Sequence, residues 1–189
     1  MARENPRRIR LRAITKLLLV FGLLLLAIPF VTSIPLFPGG DTGRAAPWER
    51  LHDVRGLAPG ELLRLEGPAG TVWVLRRDPE QVTALVAQPG NLRDPDSEDS
   101  EQPGAARNPW RGLDPEFFVF IPRETRRQCQ VRPAVATARW PAGFDEACEG
   151  ARFDLSGRIF KDTGHPEQRN LTVPPHHFPA PGQLQLLPP

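Results

Sequence analysis

From Leu17 to Gly40 the chain carries no charged side chain, and Leu17 to Phe37 reads LLLVFGLLLLAIPFVTSIPLF. About 20 apolar residues is the length that crosses a bilayer as a helix, so the pattern predicts a transmembrane anchor over residues 17–38, kinked at Pro29 and Pro35. Arg3, Arg7, Arg8, Arg10, Arg12 and Lys16 stand immediately before it. Basic flanks stay on the cytoplasmic side, which places the tail 1–16 in the cytoplasm and everything beyond residue 40 outside, in a bacterium the periplasm. A cleaved signal peptide has the same order of features. The run is longer than a usual signal core, however, no small-x-small site follows closely, and Arg10 stands where a twin-arginine signal carries an apolar residue.

Beyond the anchor the charge balance reverses, from six basic residues against Glu4 in the tail to 18 basic against 21 acidic in the remainder. The basicity therefore belongs to the tail, where orientation and contact with the anionic lipid bilayer explain it, and nucleic acid is not an expected partner. Residues 39–50, GGDTGRAAPWER, have little to bury and read as a flexible tether. Residues 51–189 form the head, large enough to bury a core without a metal. The chain's 23 prolines and 16 glycines break long helices and favour short strands.

Strand-like runs recur at 61–66, 71–76, 117–121, 157–160, 170–173 and 183–187, with a Gly-Pro-Ala-Gly turn between the first two. Asp78 as a cap and Pro79 at the first helical position predict a short helix over 78–86. The polar, acidic segment 88–108 reads as a long surface loop. The head is accordingly mostly β. Cys129 and Cys148 are the two cysteines of the chain, and both fall in the segment assigned to an oxidising compartment, which predicts a disulfide.

The order of these features resembles the Rieske iron-sulfur subunit of a proteobacterial ubiquinol-cytochrome c reductase, the cytochrome bc1 complex. The resemblance rests on GTVWVLRRDPEQVTAL at 70–85, LRDPDSEDSEQPGAARNPWRGLDPEFFVF at 92–120, FDLSGRIFKD at 153–162 and NLTVPPHHF at 170–178. It implies an antiparallel β-sandwich head behind a single transmembrane helix. The family holds a [2Fe–2S] cluster in two loops of the form C-T-H-L-G-C and C-P-C-H-G-S. One cysteine and one histidine of each loop bind iron, and the remaining cysteines form a disulfide. Set in place by FFVF before and FDLSGR after, the first loop becomes Glu124 to Cys129 and the second Glu146 to Ala151. Cys129 and Cys148 then take the disulfide positions. Glu124 and Glu146 stand where the family has thiolates, and Arg126 and Glu149 where it has imidazoles.

Such a cluster needs thiolate or imidazole donors, which carboxylates and an always-protonated guanidinium do not replace. The resemblance therefore implies degenerate ligand positions at Glu124, Arg126, Glu146 and Glu149. No catalytic residue, metal site or cofactor is assigned. His165, His176 and His177 lie outside both loops, the last two read as surface or turn residues. Ala151 lacks the hydroxyl with which a family serine tunes the cluster, and DTGHPEQR at 162–169 replaces the family's proline loop with about two extra residues. The expected function is a structural or regulatory subunit beside cytochrome b and c1-type proteins in the bacterial inner membrane. Two alternatives stand beside it, an active electron-transfer subunit and a periplasmic module in which the glutamates bind a divalent cation such as calcium. No nucleophile-histidine-acid set, phosphate loop or zinc spacing is present.

Overall fold

Gly67 and Gly70 face each other at the end of a hairpin whose register the Gly-Pro-Ala-Gly turn sets, joining β2 (Leu62–Gly67) to β3 (Gly70–Arg76). This hairpin belongs to a computed structural model that describes residues 14–26, 47–87 and 90–189. The chain divides into two units, Met1–Arg44 and Ala45–Pro189. In the first, helix α1 covers residues 14–26 and its leucines are exposed. Among the described residues no helix is long and apolar enough to cross a membrane. The tail up to residue 13, the remainder of the predicted anchor and the tether up to residue 46 lie outside the described residues.

The second unit is mostly β, as expected, in three antiparallel sheets of three strands each. The central sheet of this unit is β2, β3 and β4 (Phe117–Phe120). Side chains alternate across a strand, so this sheet feeds two cores. Trp73, Leu75, Phe118 and Phe120 enter one of them, where they meet Phe144, Phe153, Ile159 and Leu171. Val72, Val74, Phe117 and Val119 enter the other, with Val54, Leu184 and Leu186. That double burial is why TVWVL and FFVF read as continuous apolar runs rather than alternating ones. Phe118 stacks on Phe120 with ring centroids 4.5 Å apart, and Phe144 lies 4.8 Å from Phe120.

The second core rests on β1 (His52–Asp53), β8 (His176–Ala180) and β9 (Gln183–Leu186), in the order β1-β9-β8. The first rests on β5 (Val131–Ala134), β6 (Gly143–Glu146) and β7 (Arg152–Asp154), the sheet whose loops carry the candidate site. Helix α2 (Pro79–Ala87) starts where Asp78 Oδ1 accepts the Gln81 N–H at 2.7 Å and Gln81 Oε1 accepts the Asp78 N–H at 3.1 Å, a reciprocal cap.

Several expectations need correction. Residues 157–160 and 170–173 form no named strand. Gly157 turns the chain at φ +69°, so Ile159 and Phe160 make single bridges to Phe153 and Leu92 instead of a ladder. Leu171 and Val173 are buried in the first core, and their N–H groups donate to the carbonyls of Gly157 at 2.8 Å and Glu101 at 2.9 Å. Segment 88–108, read as surface loop, contributes buried Leu92, Ser97 and Ala106. Asn170 Nδ2 holds this segment by donating to the Asp94 carbonyl at 2.9 Å, while its Oδ1 accepts the Ile159 N–H at 2.9 Å. His176 is a buried residue of β8, not a surface one; its Nδ1 lies 2.8 Å from the Pro174 carbonyl oxygen, and burial pushes its pKa below the ordinary histidine value.

Close approach of backbones explains Gly143. A Cβ there would lie 2.0 Å from the Phe153 carbonyl oxygen on β7. Gly143→Ala must separate β6 from β7, and we expect a loss of about 3 kcal/mol in urea unfolding of the oxidised protein.

Candidate functional site

Two loops of the same build meet at the edge of the β5–β7 sheet. The first leaves β4 and is closed by the bridge between Arg123 and Gln130; the second joins β6 to β7. In each, a buried glutamate comes first. Its own N–H donates to the carbonyl five residues on, Glu124 to Cys129 at 2.9 Å and Glu146 to Ala151 at 3.0 Å. Four residues after each glutamate the backbone turns left-handed, at Gln128 with φ 60° and at Gly150 with φ 74°.

This shape aims backbone N–H groups inward as a nest, and the carboxylate of the leading glutamate fills it. Glu124 accepts from the N–H groups of Arg126 at 2.7 Å, Arg127 at 2.5 Å and Cys129 at 3.1 Å. Glu146 accepts from those two, three and five residues on as well, Cys148 at 2.7 Å, Glu149 at 3.1 Å and Ala151 at 3.0 Å. The relative exposures of Glu124 and Glu146 are 0% and 2%. Burial works against the charge on Glu124. The N–H of Arg126, the Gln168 amide and the N–H groups of Cys129 and Arg127 together outweigh it, and the carboxyl is held below the usual carboxylate range.

Gln168 joins the two nests. Its Nε2 donates to Glu124 Oε2 at 3.0 Å and to Glu146 Oε1 at 3.3 Å, and its Oε1 accepts the His165 N–H at 2.8 Å. The segment that presents it is held from outside by Arg93, which donates to the carbonyls of Thr163 at 2.7 Å, His165 at 2.8 Å, Pro166 at 3.2 Å and Gln168 at 2.9 Å. Gly164 packs so closely that a Cβ would lie 2.1 Å from Gln168 Oε1.

Outside the nests, Arg126 pairs with Glu149 and, at 3.2 Å, with Glu167. The side-chain exposures of Arg126 and Glu167, 35% and 74%, limit each such pair to about 1 kcal/mol or less. The predicted disulfide is present between Cys129 and Cys148, with Cα atoms 6.4 Å apart. The structure thus brings Glu124, Arg126, Glu146, Glu149 and the disulfide together and adds Gln168 and Arg93, which the sequence reading missed. The signal for the nests was available as an equal spacing, since Glu124 to Cys129 and Glu146 to Ala151 are both five residues. His176 and His177 lie on β8, away from these loops.

The nests are poor cation sites, because the inner carboxylates already face N–H donors and Arg126 covers Glu149. One carboxylate oxygen of Glu146 and the two sulfurs lie within 4.8 Å of one another, yet the sulfurs are bonded to each other.

No protein-family model matches the chain. The chain is similar to the ubiquinol-cytochrome c reductase iron-sulfur subunit of Allochromatium vinosum, 36% identical over 157 residues that cover 80% of this chain and 73% of that protein. It is also similar to the mitochondrial cytochrome b-c1 complex subunits Rieske-3 and Rieske-5 of Nicotiana tabacum. Each is 29% identical over 135 residues, covering 71% of this chain and 44% of the plant protein. Among solved structures, a chain of a hyperthermophilic respiratory Complex III aligns at 17% identity with a TM-score of 0.46, over 91% of this chain and 96% of that one.

An iron-sulfur cluster asks for soft or imidazole donors with free lone pairs. The site offers two carboxylates enclosed by N–H groups, a third paired with a guanidinium, and two mutually bonded sulfurs, and this donor set does not fit the group.

Proposed function

The chain belongs to the family of ubiquinol-cytochrome c reductase iron-sulfur subunits, and from that premise we propose that it is a member without electron-transfer chemistry. It acts as a structural or regulatory subunit beside the cytochrome subunits of a bc1-type complex, held in the bacterial inner membrane by residues 17–38 with its head in the periplasm. The observation that carries this reading is the pair of buried carboxylates, Glu124 and Glu146, each enclosed by three backbone N–H donors and the Gln168 amide. No step that moves an electron follows from such groups. What the tip retains is a fixed shape, set by a disulfide and two filled nests.

Iron and acid-labile sulfide analysis of the full-length protein in mild detergent, with low-temperature EPR after dithionite, tests the loss of chemistry. We expect neither iron nor a signal; about two irons per chain with a reduced-cluster spectrum would reverse the reading. Co-purification with cytochrome b and c1-type subunits from native membranes tests the association. A protein that elutes free of haem under conditions that keep the complex intact would remove the subunit role.

A further inference from the structure

We infer that Gln168 is a clamp that couples the two nests, so that segment 162–169 does without metal the work of holding the two loops to each other. The inference rests on the reading that this tip carries no cluster, and it concerns what fills the space instead.

Three independent observations meet at this residue. Gln168 is 1% exposed, and its single amide nitrogen reaches one carboxylate of each loop. Its side-chain oxygen and its backbone N–H are both tied to His165, the former through the His165 N–H and the latter through the His165 carbonyl at 3.0 Å, so the amide cannot swing away without opening its own turn. Four backbone carbonyls of the same segment converge on the Arg93 guanidinium, which fixes the turn to the body of the head.

The chemistry at the centre is two carboxylates on either side of one NH2 group. Each glutamate arrives with its charge already balanced by three N–H donors of its own loop, which makes each loop a self-contained unit. What those donors do not provide is any link between the loops. At the outer rim that link is the Arg126–Glu149 pair and the disulfide, and in the buried interior it is Gln168. An amide with two hydrogens suits the role, since a carboxylate there would face two like charges and an alanine would remove the one donor that the two carboxylates share.

Hydrogen exchange of the full-length protein in detergent, read by peptide mass spectrometry, tests the coupling. In Gln168→Ala we expect peptides covering 124–130 and 146–151 to exchange at least tenfold faster, both together, while β3 and β4 keep the wild-type rate and the disulfide stays intact. Gln168→Glu supplies the readout that a mere packing role would not move. At pH 8 its new carboxyl is a third charge between two others, and both loops should be loosened. Protonation of that carboxyl in acid supplies one O–H, enough to reach one of the two carboxylates, so protection relative to the intrinsic exchange rate should return in part on going to pH 5. Acceleration of one loop alone, no acceleration in either variant, or no recovery of Gln168→Glu at pH 5 overturns the clamp. Should Gln168→Ala unfold the whole head, the pH response of Gln168→Glu decides by itself. A protein with iron and labile sulfide would sink the clamp and the cluster-free reading together, whereas an iron-free protein whose loops ignore both variants sinks the clamp alone.

Discussion

Replacing Asp154 with Asn should cost the head about 4 kcal/mol in urea unfolding at pH 7, within the 3–5 kcal/mol typical of a buried ion pair broken on one side. Asp154 Oδ2 accepts from Arg158 Nε at 2.8 Å, with side-chain exposures of 6% and 2%. Its other oxygen accepts the N–H groups of Ser156 at 2.8 Å and Arg158 at 2.9 Å. Two further guanidinia are buried nearby. Arg77 lies over the Phe118 ring at 5.5 Å and donates to the Trp110 carbonyl at 2.8 Å. Arg111 donates to Gln102 Oε1 at 2.9 Å. Burial pushes the pKa of Arg77 down to about 9 and that of Arg111 to about 10, while Asp154 works the other way on both, helped by Asp114 for the first and Asp94 for the second. Arg77 and Arg111 thus remain cations at neutral pH, beside the Arg158 guanidinium that pairs with Asp154. Asn keeps the size of the side chain and one acceptor but removes the charge that they share. A double variant, Asp154→Asn with Arg158→Met, should recover part of the loss, because it deletes one of the cations left without a counter-charge. If the double variant is less stable than Asp154→Asn alone, packing around Arg158 outweighs the charge argument.

This cluster also shows what one sequence can and cannot reveal. The FDLSGR string was visible as part of the family resemblance, yet nothing in it says that Arg158 points inward to Asp154 and to the Leu85 carbonyl. Arginine is seldom fully buried, and nothing local in the sequence marks Arg77, Arg111 and Arg158 as interior residues. Periodicity did succeed where one element decides its own structure. The β2–β3 hairpin follows from its turn, helix α2 from Asp78 and Pro79, and β4 from its aromatic run. It failed at GRIF and NLTV, whose Ile159, Leu171 and Val173 enter the first core from loops, and at β5 to β8, where β5 contains Pro133, β6 Gly143 and β8 paired histidines and β7 is three residues long. The site divides in the same way. The family resemblance places Glu124, Arg126, Glu146 and Glu149 in two loops with a disulfide between them. The nests depend on left-handed turns at Gln128 and Gly150, and the bridge depends on Gln168, about 20 to 40 residues away along the chain. Such groupings are made by tertiary structure and leave no local pattern.

Removing the Cys129–Cys148 bond should lower stability by roughly 3 kcal/mol, the entropy gained by an unfolded chain freed of a loop of about 20 residues. The double variant Cys129→Ser, Cys148→Ser is expected to show this loss at pH 7 and still keep both loops closed, since neither the nests nor Gln168 uses a sulfur atom. Acid should then separate the two contributions. The folded pKa of Glu124 lies below its ordinary value, so its stabilisation is complete above the unfolded carboxyl value of about 4.3 and is lost as the pH falls through the folded value. Between pH 7 and about 5 the gap between wild type and the double variant should therefore stay constant. Below about pH 4 both proteins should lose the nest contribution, and the double variant, without its covalent link, should open its tip first in hydrogen exchange. Glu124→Gln removes the acid dependence at its source. Its amide nitrogen replaces one carboxylate oxygen and so faces either the Arg126 N–H or those of Arg127 and Cys129, which should cost about 2 kcal/mol at pH 7 and less in acid, where the wild-type carboxyl is itself neutral. A Glu124→Gln protein as stable as wild type at pH 7 would show that the filled nest contributes nothing to the tip.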